Sequence, residues 1–156
     1  MIERGGWAGE YNVTVRKSDG TETKLHIKNM ITDAGLNFLR DGLAGKHSDL
    51  KIKYLALGDS DDPVQRNQTK LGNERFRIAF AAQEDGGTGV LRSVCAIPDN
   101  EALFHIRELG IFAGQDADQN QNTGIMVSRI LFDFDKSRES VPFTLRFERI
   151  DTIGRL

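Results

Sequence analysis

Tyr11-Asn-Val-Thr-Val-Arg16, followed by Asp19-Gly20 and then by Leu25-His-Ile27, is the stretch that decides the fold. Tyr11, Val13 and Val15 alternate with Asn12, Thr14 and Arg16, the period-two pattern of a strand with one buried face. Asp19-Gly20 fits a type I′ turn with positive φ at both residues, and Leu25 and Ile27 resume the alternation. An antiparallel hairpin is expected. Its lead-in, Gly5-Gly-Trp-Ala-Gly9, reads either as an arm that docks a neighbouring subunit through Trp7 or as a frayed terminus. Residues 1–28 are thus an arm plus hairpin and 29–156 a β-rich domain, the whole forming a single globular unit.

Downstream of the hairpin lies the one persuasive helix, near residues 32–44. Thr32 is placed to cap it, Ile31 to staple onto Leu36, and Gly45 to stop it, while Leu36, Leu39 and Leu43 recur at helical spacing. Such a narrow leucine stripe is expected to cover one side of a sheet. After it the pattern is strand throughout: 52–57, 75–82, 90–97, 102–106 with 109–112, 125–134 and 141–147. Phe76, Ile78 and Phe80 are expected to share one buried face, and Gly110 to mark a bulge or a close backbone approach. Six or seven strands with turn signals between them give a mainly β chain, an antiparallel β-sandwich or barrel-like domain with one short amphipathic α-helix. The loops 59–69 and 114–124 are the longest polar stretches, expected sites of interaction or disorder.

The 156 residues suffice for one core. Lys plus Arg number 21 against 23 Asp plus Glu, a formal charge of −2, so nothing in the balance collects nucleic acid. No stretch has the apolar length of a signal peptide or of a bilayer span, and synthesis in the cytoplasm without membrane insertion is expected. The lone Cys95 excludes an internal disulfide and reads as a small buried hydrophobe.

No pattern able to carry chemistry is complete in the sequence. Asp116, Asp118 and Asn120 alternate as in a calcium loop, but Gln121 and Val127 stand where an EF-hand needs Gly and Glu. Asp59-Ser-Asp-Asp62 reads as an acidic turn. His26, His47 and His105 are far apart and form no zinc spacing. Nucleophile elbow, Walker loop and dinucleotide fingerprint are all missing, so neither catalysis nor a cofactor is expected. Arg75, Arg77, Arg146 and Arg149 have Glu74, Glu108 and Glu148 nearby, so ion pairing within the fold or between subunits is their expected role.

Two segments carry more information. The first is Leu55-Ala-Leu-Gly-Asp59 with Leu71-Gly-Asn-Glu-Arg-Phe-Arg77; the second is Phe104-His-Ile-Arg-Glu-Leu-Gly-Ile-Phe112. Together they resemble the N-terminal domain of tailed-bacteriophage tail fibres, the tail-collar fibre family, and related small baseplate and tail proteins. Gly58, Leu71, Asn73, Glu74, Phe76 and Arg77 match the first signature of that family; Ile106, Arg107, Glu108, Leu109, Gly110, Ile111 and Phe112 match the second, and Thr32 and Gly35 fit its upstream helix. The matching residues read as structural, with a Glu and Arg set able to form a buried pair.

The resemblance implies a non-enzymatic component of a phage tail, in the fibre, collar or baseplate. Its partners would be copies of itself, as a homotrimer or a ring, and other virion proteins. Because the chain ends at Leu156 without a fibre shaft, an adaptor role is expected over host-receptor contact. Two rivals remain: a carbohydrate-binding β-sandwich stacking sugars on Trp7, Tyr11 or Tyr54, and a wall hydrolase using Asp59, Asp61 or Glu108.

Overall fold

The computed structural model describes residues 5–137 and 142–155. Residues 1–4 of the expected arm, Val141 at the start of the expected last strand, and Leu156 lie outside them. The chain forms β1 (Gly5–Lys17), β2 (Glu22–Asn29), α1 (Asp33–Leu43), β3 (Ile52–Gly58), β4 (Glu74–Ala79), β5 (Ala82–Asp85), β6 (Val90–Ile97), β7 (His105–Ala113), β8 (Ile125–Asp135) and β9 (Phe143–Arg155). The class is mainly β, with two antiparallel sheets of the kind a β-sandwich is built from and one short helix.

The chain resolves into two compact units, each assembled from separated segments. The described residues of Met1–Asn29, Phe80–Glu101 and Ser140–Leu156 make one, and those of Met30–Ala79 and Ala102–Glu139 the other. The chain first leaves the first unit between Asn29 and Met30 and later returns to it.

The first unit is the five-stranded sheet β2-β1-β9-β6-β5. Tyr11, Val13 and Val15 of β1, Cys95 and Ile97 of β6, and Phe143, Leu145 and Phe147 of β9 are buried in it. The hairpin turn differs from expectation: Gly20 has φ of 90° while Asp19 stays at negative φ. Lys17 N–H donates to Thr21 O and the Asp19 carboxylate accepts Thr21 N–H, so Ser18-Asp19-Gly20 is a three-residue loop with glycine in the left-handed position. The glycine-rich lead-in is no loose arm among the described residues. β1 begins at Gly5 and pairs with β9 from Gly5↔Arg155 to Lys17↔Phe143.

The second unit is the sheet β4-β3-β7-β8 with α1. Leu55, Leu57, Leu109 and Ile111 are buried on one face; Ala56, Leu71, Phe112, Ala117 and Met126 form a cluster on the other. Thr32 caps α1 by accepting Gly35 N–H, and Gly45 takes the left-handed φ of 77° just past its end. The buried side of the helix is not the leucine stripe. Ile31, Gly35 and Phe38 are buried, while Leu36 is 48% and Leu43 82% exposed. Gly35 decides this: a Cβ there would lie 2.9 Å from Val127 O, so the helix turns its glycine toward β8.

The strand expected over 75–82 is two strands in different units. β4 ends at Ala79 and β5 begins at Ala82, which leaves Phe76, Ile78 and Phe80 half-buried rather than sharing one core face. Between 102 and 104 the chain is not strand, because Ala102 adopts φ of 54° and Phe104 N–H closes onto Ala102 O. Phe112→Ala, at a fully buried site, should lower unfolding free energy by about 3–5 kcal/mol, and Phe80→Ala should cost clearly less. Denaturant titration of the two variants measures the difference.

Candidate functional site

Eight of the residues singled out by the resemblance, Gly58, Leu71, Asn73, Glu74, Arg77, Glu108, Gly110 and Phe112, converge on one face of the second unit's sheet, beneath its two long loops. Register places Arg77, Ala56, Gly110 and Arg129 in one row across β4, β3, β7 and β8. The neighbouring row holds Glu74, Gly58 and Glu108. Small residues in the middle of both rows leave room for long charged side chains to lie flat along the sheet. At Gly58 a Cβ would meet Glu108 Oε2 at 2.5 Å, and at Gly110 it would meet Leu71 Cδ2 at 2.8 Å, which is the close approach expected of Gly110.

A bulge makes the first ion pair. The β3–β4 register passes from Leu57↔Phe76 to Gly58↔Glu74, so Arg75 is the extra residue. The parity of the strand flips across it, and Glu74 joins Arg77 on the same face. Arg77 Nη2 and Nε donate to the two oxygens of Glu74, each at 2.8 Å, with both side chains withdrawn from solvent. Arg77 lies over the Phe112 ring at 4.4 Å, and its Nη1 donates to Asp118 O, Thr123 O and Thr123 Oγ1. Glu74 Oε1 accepts Asn122 N–H. This pair therefore holds the loop 114–124 against the sheet.

The second pair does the same for the loop 59–73. Glu108, fully buried, accepts Ser60 N–H at 2.9 Å, Gly72 N–H at 2.7 Å, Asn73 N–H at 2.9 Å and Arg129 Nε at 2.9 Å. Arg129, also fully buried, sends Nη1 to Asp62 O and Gln68 Oε1. Leu71 and Ala117 carry the apolar part of the two loops into the cluster below them. Both polar stretches are thus built parts of the fold, and their outer rims present Asp59, Asp61, Gln115 and Asp116 on a backbone already held in place.

Other candidates are placed elsewhere. Phe76 lies opposite Leu57 on the other face, and Arg107 faces Asp61 at 3.6 Å on the surface. Arg75 pairs with Asp59 at 3.1 Å and lies 4.6 Å from the Phe104 ring centre, and Arg146 lies 3.9 Å from Glu148. In the first unit Arg149 Nη2 donates to Asp151 at 3.0 Å and Nη1 to Asn29 Oδ1 at 2.8 Å, with its guanidinium 4.9 Å from the Tyr11 ring centre. Burial opposes the Arg149 charge, but Tyr11 and Asp151 outweigh it and raise its pKa. Trp7 Nε1 donates to Asp151 Oδ1 at 2.9 Å, so the expected assembly anchor is tied into its own sheet.

Most of the residues named for the rival chemistries are engaged within the fold, while Trp7 is half-buried. Tyr11 is fully buried and offers no ring to a sugar, and Tyr54 packs on the core cluster under Arg77. Both Glu108 oxygens are occupied, Asp59 is engaged by Asn73 and Arg75, and Asp61 faces Arg107. His26 lies beside Asn12 and Glu10, His47 against the Phe38 ring, and His105 against Asp133. Among the described residues no three His, Cys, Asp or Glu side chains form a metal-sized group. Burial pushes the Cys95 thiol up to about 12, which keeps it protonated and inert. Arg129 is the member of the buried ion pair that the sequence pattern did not mark: it sits in an apolar stretch, Ile125 to Phe132, with only the isolated charge as a signal.

Comparison with protein-family models, with curated protein sequences and with solved structures gave no match to this chain.

Arg129→Met, which strands the Glu108 carboxylate in the interior, should lower stability by about 3–5 kcal/mol and release the loop 59–73 to proteolysis. Denaturant titration and limited trypsin digestion read the two effects. Acid should act on the other loop. Asn120 N–H and the Thr123 hydroxyl hold the Asp118 carboxyl below its ordinary value, so its contribution is complete above the unfolded carboxyl range near pH ~4 and is lost as pH falls through the lower folded value. The protection factor of the Asn120 amide, taken relative to the intrinsic exchange rate at each pH, should fall in that acid window in the wild type, and Asp118→Asn should remove this pH dependence.

Proposed function

We propose that this chain is a structural component of a bacteriophage tail, an adaptor of the fibre, collar or baseplate that associates with copies of itself and with other virion proteins. The observation that supports the reading is the use made of the resembling residues. Gly58, Leu71, Asn73, Glu74, Arg77, Glu108, Gly110 and Phe112 meet on one sheet face, where they hold two loops in fixed conformations. Three elements are needed for that outcome: an ALG strand end, an NE-x-x-R bulge and a REL-G strand. Those are the segments that define the resemblance.

Rigid polar loops suit permanent attachment, because little conformational entropy is left to lose when a neighbour binds them. The exposed Asp116 on the rim of the loop 114–124 favours a basic surface on a neighbouring protein. Immunogold labelling of tailed particles with antibody against the purified chain tests the proposal, with mass spectrometry of the same particles. Label at the tail and peptides in stoichiometric amount are expected. Particles free of the chain, or binding of the isolated protein on a glycan array, would transfer the assignment to a soluble or carbohydrate-binding role.

A further inference from the structure

The four sheet edges are not equally protected, and the difference points to a second copy of this chain. β5 is only four residues long; β4 carries the bulge at Arg75; β8 is covered where Ile31 bridges Ser128 and Thr32 N–H reaches Val127 O. β2 differs from all three. It is eight residues long, pairs with β1 in unbroken register from Glu22 to Asn29, has neither Pro nor bulge, and is exposed from Glu22 to His26.

The hydrogen-bond direction of this edge follows from the turn. Lys17 N–H bonds to Thr21 O, so by alternation Thr23, Leu25 and Ile27 bond toward β1, and Glu22, Lys24, His26 and Lys28 turn their amides outward. Two β2 strands can therefore pair antiparallel only in registers that match even positions with even. Of the central three, one sets Lys24 against Lys24 and another sets Lys24 against Lys28. The third sets Glu22 against Lys28 twice, Thr23 against Ile27 twice, and Leu25, 41% exposed, against itself.

We infer that two copies of the chain join edge to edge through β2, with a two-fold axis at Leu25 and reciprocal Glu22–Lys28 pairs, so that the two five-stranded sheets become one of ten. The apolar face is continuous across the axis, because Leu25 is the register partner of the buried Val13 in each copy. The inference deepens the assembly reading and rests on it for its purpose. Its test is self-association of the purified chain, whose outcome is independent of whether the chain is found in particles.

Sedimentation equilibrium of the full chain should show a monomer–dimer equilibrium. Glu22→Lys and Lys28→Glu should each weaken it roughly five- to tenfold, and the double variant should restore it. Leu25→Cys should give a covalent dimer under mild oxidation, because a non-hydrogen-bonded antiparallel pair brings Cα atoms to about 4.5 Å, within disulfide reach. Lys24→Cys should not, and buried Cys95 contributes no background. His26→Pro, which deletes an outward amide and spares the β1 pairing, should be monomeric. A wild-type monomer at the highest concentration reached, with Lys24 and Lys28 then only guarding the edge, overturns the inference. So does a trimer, a Leu25→Cys variant that fails to cross-link, or a double charge variant no tighter than the singles.

Discussion

Glu108 and Arg129 are the constraint on which the second unit depends. Two opposite charges lie wholly out of water, a costly state unless each has its hydrogen-bonding capacity met. Glu108 satisfies the condition by taking three backbone N–H groups from a loop that has no regular secondary structure to bond with, and Arg129 by donating to that loop's carbonyl and amide oxygens. The need of the charges and the need of the loop backbone are met by the same contacts. Loss of either charge would leave the other buried and the loop amides orphaned together.

The same solution appears three times with different partners. Glu74 and Arg77 hold the loop 114–124, while Asp151 and Arg149 engage Trp7 and Asn29 in the other unit. Each arginine lies next to glycine or alanine in a neighbouring strand. At Gly9 a Cβ would fall 2.0 Å from Arg149 Nη2. Flat guanidinium groups thus replace apolar side chains as the filling between sheet and loop, and they bring direction that hydrophobic packing lacks. Such a scaffold keeps exposed segments in one conformation, which is what attachment to fixed neighbours requires.

Edges complete the functional picture. A sheet protein exposes unpaired amides at every terminal strand, and shortness, a bulge and a covering segment deal with three of them here. The regular edge of β2 is the exception. A surface able to propagate a sheet belongs naturally to a protein whose proposed role is assembly.

Where the signal is local, an apolar pattern over a few residues or a cap or turn residue, the sequence by itself determined the outcome. It was enough for the hairpin, for β3, β6 and β8, for the Thr32 cap and the Gly45 stop, and for the antiparallel, mainly β class. Local covalent sterics and the period of burial operate over a few residues, so they can be read there. What depended on residues far apart in the chain only the tertiary structure decided. β1 reaches back to Gly5 and β9 forward to Arg155 because Gly9 admits Arg149 and Asp151 receives Trp7; the buried positions there are polar or absent, and the alternation disappears. The helix rolled onto Gly35 instead of its leucines because Val127 lies across from it. The parity of Glu74 changed at a bulge that no composition marks, and Arg129 found Glu108 from 21 residues away. A charge is buried only when its counter-charge and donors arrive together, and their arrival is a property of the folded chain.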